Sequence, residues 1–169
     1  PPAPSPQQAH DVTQSSTNLQ SINSRIQQRR ASLLAMRTSV RERRRAGAGG
    51  IACCEWFSEQ VDEFIREIVK QQQEMQPNVS PASFAVLAVG GNGRRRPAPF
   101  SDMDLLFLMD AKHQTTAQGF LSAVVRDCWD AGAQLGSSVR TVSDVVRFAI
   151  DDIQFATSMI ETRFLCGNE

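Results

Sequence analysis

The chain has 169 residues, 41% of them hydrophobic and 21% charged, and its 18 basic and 18 acidic side chains cancel to a formal net charge of zero. That length is one domain's worth, enough for a sizeable core, and a mean hydropathy of −0.30 is that of an ordinary soluble protein rather than a fibrous or membrane one. No apolar run approaches the ~20 residues that cross a bilayer and no charged-then-apolar leader opens the chain, so a cytoplasmic protein with no membrane partner is expected.

The zero net charge hides an asymmetry. Residues 1–50 carry eight Arg against Asp11 and Glu42, which is +6, and residues 51–169 carry ten basic and sixteen acidic side chains, which is −6. A basic arm beside an acidic domain is one way to hold nucleic acid. This arm has no aromatic residue, so its arginines are read as solvated or paired with the acidic domain, and nucleic acid is not the expected partner. The four cysteines (Cys53, Cys54, Cys128, Cys166) lack metal-ligand spacing, and adjacent Cys53-Cys54 makes a poor disulfide pair. They read as reduced, mostly buried thiols.

In chain order, residues 1–18 are rich in Pro, Gln and Ser, a composition that cannot bury enough surface to order itself, and they read as a disordered lead. Residues 19–76 form a helical lead-in. Leu19, Ile22, Ile26, Leu33, Leu34, Met36 and Val40 recur at helical spacing, and the break at 46–50 precedes a second helix over 51–73 with Trp56, Phe57, Val61, Phe64, Ile65 and Ile68 on one stripe. Residues 77–169 make the core. Pro77 to Pro81 is a turn into a first strand, Phe84 to Val89. A second strand follows at Leu105 to Met109. A helix over 115–130, with Phe120, Leu121, Val124, Val125 and Trp129 inward, leads to a third strand over 133–142. Thr141 or Ser143 caps the next helix, over 144–150, and a last helix runs from Asp151 to about Leu165. His113 is read as an exposed loop residue.

The chemistry gathers between the first two strands. Gly90-Gly91 ends one apolar run, ten residues (92–101) intervene, and Ser101-Asp102-Met103-Asp104 opens the next. Alternation along a strand sends Asp102 and Asp104 to one side. Paired carboxylates repel unless something positive lies between them, and a divalent cation such as Mg²⁺ is the usual resolution. Gly90 and Gly91 let backbone N–H groups approach a phosphate; Ser101 adds a hydroxyl, and Arg94, Arg95 and Arg96 add positive charge. Together these point to a nucleoside triphosphate held for phosphoryl-type transfer.

These residues resemble a family. Val89-Gly90-Gly91 with Ser101-Asp102-Met103-Asp104-Leu105 is similar to the signature of the DNA polymerase β-like nucleotidyltransferase superfamily, and within it to the N-terminal transferase domain of the bacterial protein-PII uridylyltransferases. Arg41 to Gly50 with Val61-Asp62 resembles that family's helical lead-in. Cys128 to Gly132 with Gly136 to Thr141 resembles a second motif, and Asp151 to Ala156-Thr157 with Glu161 to Leu165 its closing segment. The resemblance implies an α+β fold with a mixed sheet flanked by helices and an Mg²⁺-dependent transfer. The UMP of UTP would go to a protein hydroxyl, a tyrosine of the PII nitrogen-signalling protein. It also makes the chain a fragment of a longer enzyme.

Departures from the pattern are visible too. Asn92 stands where an aromatic residue is usual, Arg96 where an acid is, and the third strand carries Gln134 where the superfamily's third carboxylate is expected; Asp130 and Asp144 flank that strand. A different nucleotide or acceptor, or a catalytically degenerate nucleotide-binding module, are the alternative readings.

Overall fold

The computed structural model describes the backbone of residues 6–169 and the side chains of residues 20–169. Helix α1 spans Pro6–Arg45 and helix α2 Gly50–Met75, so the backbone of residues 6–18 continues α1, and residues 1–5 of the expected lead lie outside the described residues. The break between them has a local cause. Gly47, at φ 95°, takes the left-handed turn while Gly47 N bonds Arg44 O and Ala48 N bonds Arg43 O. These bonds satisfy two of the helix's last carbonyls in a Schellman turn. Leu33, Met36 and Val40 of α1 face Cys53, Phe57, Val61, Phe64, Ile65, Ile68 and Val69 of α2, all buried in one cluster with the sheet.

Strands β1 (Phe84–Ala88), β2 (Met103–Met109), β3 (Leu135–Thr141) and β4 (Arg163–Gly167) form one sheet in the order β3-β2-β1-β4. β1 is antiparallel to β2 and β4, and β2 is parallel to β3. A parallel pair needs a long crossover, which helix α4 (Gln114–Asp130) supplies. The fold is therefore the expected α+β arrangement of a mixed sheet with helices and an N-terminal helical pair.

Alternation assigns the two faces of the sheet. Phe84, Val86, Ala88, Met103, Leu105, Phe107, Met109 and Leu135 enter the core against α2 and α4. The opposite face carries Asp104, Gly136 and Ser138. Helices α5 (Val142–Asp151) and α6 (Ile153–Met159) follow β3 and contain no buried residue. Thr141 begins α5 with a capping box: Thr141 Oγ1 accepts from Asp144 N, and Asp144 Oδ2 accepts from Thr141 N.

Two expectations change. The closing segment is not helical as far as Leu165: α6 stops at Met159, and residues 163–167 pair with the free edge of β1. Local sequence favoured continuing the helix, and an open strand edge outweighed it. Trp129, expected inward, is 54% exposed. The inward stripe of α4 runs Ala117, Phe120, Leu121, Val124, Cys128, and the next residue is rotated by about 100° away from it.

The four cysteines are free. Burial pushes the thiol of Cys128 up to about 12 and that of Cys166 up to about 11, which keeps both out of the reactive thiolate form. Two arginines of α1 reach the acidic part of the chain. Arg29 pairs with Asp127 at 2.8 Å, and Arg30 donates to Asp130 O. Among the described residues no helix is long and apolar enough to cross a membrane.

Candidate nucleotide and metal site

β1 ends at Ala88, and the chain turns at once into the single helical turn α3, Gly90–Gly93. Gly90 takes φ 53°, a conformation open to glycine at no steric cost. The first hydrogen bonds closing the turn are Gly93 N to Val89 O and Arg94 N to Gly90 O. The N–H groups of Gly90, Gly91 and Asn92 precede them, as first-turn donors do in any helix. The two glycines thus begin a helical turn instead of simply ending a strand.

Asp104 lies in β2 beside this turn, half-buried, and Asp102 is exposed just before the strand. A Cβ placed on Gly90 would come within 3.2 Å of Asp104 Oδ2, and one on Gly136 within 2.6 Å of Asp104 Oδ1. The Asp104 carboxylate therefore occupies a slot that two glycines, from different strands' ends, leave open. Burial and then the charge of Asp102 raise the pKa of Asp104, while Arg94 pulls it back. An ionised Asp104 is a group in need of a positive partner.

The third strand completes this face. Met103 pairs with Leu135 and Asp104 with Gly136, and Met103 N donates to Gln134 O at 2.8 Å. Gln134 is exposed and, two residues before Gly136, shares the face of the carboxylates. An amide thus stands where the resemblance implies a third acid. Asp144 lies beyond the other end of β3, in the α5 cap. Among the described residues no group of three or more His, Cys, Asp or Glu side chains gathers as a metal cage. The donor set is two carboxylates, which suits Mg²⁺ sites completed by water and substrate phosphates rather than by protein alone.

The remaining expected residues lie in the loop between the glycine turn and Asp102, and of its arginines only Arg94 acts on the Asp104 carboxylate. Arg94, Arg95 and Arg96 are exposed and paired with Glu161 (3.0 Å), Glu59 (3.9 Å) and Glu55 (3.8 Å) respectively. Exposed pairs of this kind are worth ~0–1 kcal/mol, weak enough for a polyanion to displace. Ser101 donates its hydroxyl to Ala98 O at 2.9 Å and so closes the loop that delivers Asp102. Phe100 is 53% exposed and is stacked under Arg37 and Arg41 of α1, tying this loop to the lead-in.

Residues not foreseen as part of the site are Gly136, Asn92, Glu161 and Arg163. Gly136 was legible only through register, because nothing in a lone glycine says which carboxylate it faces. Gly93 packs on the backbone of the closing segment so tightly that a Cβ there would fall 1.8 Å from Glu161 O.

No family model matches the chain. Curated proteins do. The chain is 46% identical over 88 residues to the bifunctional uridylyltransferase/uridylyl-removing enzyme of Cupriavidus pinatubonensis, covering 52% of this chain and 10% of that protein. It is 33% identical over 140 residues to the enzyme of the same name from Burkholderia lata, covering 83% and 16%. A third, from Nitrosococcus oceani, is 35% identical over 105 residues, covering 62% and 12%. The chain thus matches a small part, 10–16%, of the length of these relatives.

Proposed function

We infer that this chain is a nucleotidyltransferase domain that binds a nucleoside triphosphate with Mg²⁺ and transfers its nucleoside monophosphate to a hydroxyl. The observation that carries the reading is the Asp104 carboxylate slotted between Gly90 and Gly136 beside Asp102. The named activity of the relatives supports UTP as the nucleotide and UMP as the transferred group. The family resemblance adds a protein acceptor, a tyrosine of a PII-type nitrogen-signalling protein, and a cytoplasmic setting. In that reaction an acceptor oxygen bonds the α-phosphorus, the α–β anhydride bond breaks, and pyrophosphate leaves.

Asp102 and Asp104 would hold Mg²⁺, which supplies charge neutralisation to the triphosphate when bound. The first N–H groups of the Gly90–Gly93 turn offer donors to phosphate oxygens. Arg94 lies between Glu161 and the electrostatic reach of Asp104; it is the arginine best placed to exchange a carboxylate for a phosphate. Ser101 shapes the loop and can offer its oxygen's remaining lone pairs.

Titration calorimetry with UTP, ATP, CTP and GTP in Mg²⁺ tests the binding half, and pyrophosphate release with a PII-type acceptor tests the chemical half. Asp104→Asn and Asp102→Asn should each abolish metal-dependent binding and transfer. The sign on stability is opposite. A carboxyl whose folded pKa is raised costs stability once it ionises, so metal-free Asp104→Asn should be as stable as the native chain or more so near neutrality, the difference vanishing below the ordinary carboxylate range. Unfolding of Asp104→Asn, or undiminished metal-dependent binding, would make the pair merely structural.

One observation favours a second reading, a nucleotide-binding module without chemistry: the residue that leads into β3, its backbone bonded to Met103 N, is Gln134 and not an acid. Tight Mg²⁺-nucleotide binding with no pyrophosphate release would support it. Gln134→Glu should then raise transfer from nothing to a measurable rate.

A further inference from the structure

Asp62 of α2 has no part in the site as described, yet Arg163 joins it to the glycine turn. Arg163 of β4 donates to both carboxylate oxygens of Asp62 on α2, at 2.5 and 3.0 Å, and Asp62 is only 4% exposed. The same guanidinium reaches Ser58 Oγ at 3.3 Å and, at 2.9 Å, the backbone carbonyl of Asn92 in the glycine turn. Asn92 is 1% exposed, and its Oδ1 accepts from Asp104 N at 3.0 Å.

That last bond is a repair. Val89 N donates to Asp104 O at 3.1 Å, so the antiparallel ladder would ordinarily return a bond from Asp104 N to Val89 O. Val89 O is instead taken by Gly93 N to close the glycine turn. The turn therefore removes the natural acceptor from Asp104's own backbone, and the Asn92 side chain replaces it. Arg163 then fixes the Asn92 backbone, anchored in turn by a buried carboxylate. A buried ion pair is a weak source of stability compared with apolar packing, but it does fix a position.

We propose that Asn92 and Arg163, with Asp62 behind them, are positioning residues that hold Asp104 in register with the glycine turn, so that carboxylate and phosphate donors face one ligand. The proposal rests on the carboxylate pair binding a metal–triphosphate complex. Asn92→Leu keeps the side chain's size and removes the acceptor. Arg163→Lys keeps the charge beside Asp62 but cannot hold Asp62 and Asn92 together in one planar fork.

Amide hydrogen exchange and titration calorimetry, using Mn²⁺ with UTP and UTP in EDTA, form the test. In each variant the Asp104 amide should exchange at least about tenfold faster while that of Phe107, deeper in the same strand, keeps its protection. Mn²⁺–UTP affinity should fall at least about tenfold with metal-free UTP binding unchanged. If Phe107 loses protection in step with Asp104, or both forms of binding fall together, the residues only stabilise the fold and the proposal is wrong. Unchanged Mn²⁺–UTP affinity in both variants also overturns it. Asp104→Asn measured alongside separates the two levels: if it too leaves Mn²⁺–UTP binding intact, the carboxylate-pair reading fails and the positioning role fails with it.

Discussion

The two faces of the sheet are built by different rules. Toward α2 and α4, Val86, Phe107, Phe120, Leu121 and Val124 are fully buried, and the strands read as continuous apolar runs. On the other face one end of the sheet holds a carboxylate and glycine, and the adjoining helices α5 and α6 bury no residue at all. Val142, Val146 and Ile150 are 57–80% exposed along one stripe of α5, and Ile153 at the start of α6 is 76% exposed. The first face carries the stability. The second carries groups that stability alone would not select: a carboxylate with a raised pKa, a left-handed turn and a ladder bond rerouted through a side chain.

The contrast can be broken by substitution. Phe107→Ala should cost roughly 3–5 kcal/mol in chemical denaturation, since it opens a cavity in the close-packed face. A loss below ~1 kcal/mol would mean that this face is not the main source of stability. Gly93→Ala comes next, at roughly 1–3 kcal/mol, because its Cβ would meet the backbone carbonyl of Glu161, which cannot swing away.

Gly136→Ala sharpens the comparison. Its Cβ would meet only the end of the Asp104 side chain, so the fold should survive with little change in thermal midpoint. The displaced carboxylate should weaken Mn²⁺–UTP binding about tenfold, or ~1.4 kcal/mol. Equal damage to folding and to binding would erase the distinction between the two faces.

Smaller effects belong to the helices of the second face. Thr141→Ala removes the α5 cap and should cost about 1 kcal/mol. Its partner Asp144 is held below the usual carboxylate range chiefly by the Thr141 hydroxyl. That contribution is present above the ordinary carboxylate pKa and is lost as pH falls through the folded value. Asp144→Asn should therefore be less stable than the native chain near neutrality and converge on it in acid. Ile150→Ala, at a position 80% exposed, should change stability by less than about 0.5 kcal/mol.

The first face was legible in the sequence because burial leaves a period: 3.6 in α2 and α4, short apolar runs in β1 and β2. The glycine pair and the two carboxylates were legible for a different reason, since turn chemistry and strand alternation brought them together without any tertiary knowledge. What could not be read depended on partners far away in the chain. β4 is a strand because β1 had a free edge. Gly136 matters because β3 runs parallel to β2 in one particular register. Asn92, an apparent departure from the family pattern, gained its meaning from a carbonyl that the turn diverts. Arg94 to Arg96 read as free positive charge, and each found a glutamate from a distant segment.

The pairing of β4 with β1 also has a kinetic consequence. Ala85 and Gly167 are partners, as are Ala88 and Arg163, so this edge of the sheet closes a loop of most of the core. Such contacts are entropically late ones. β1 and β2 can pair across a short loop, and β3 can join through α4, before residue 163 is available. The Arg163 contacts to Asp62 and Asn92 must then form last. During folding the carboxylate slot would exist as a loose assembly, β1 with one edge open to other strands, until the closing strand docks. Refolding should show the fixing of the glycine turn in step with β4 rather than with the core, and a chain interrupted before residue 163 should collapse around its apolar face while leaving the edge of β1 free to pair with other chains.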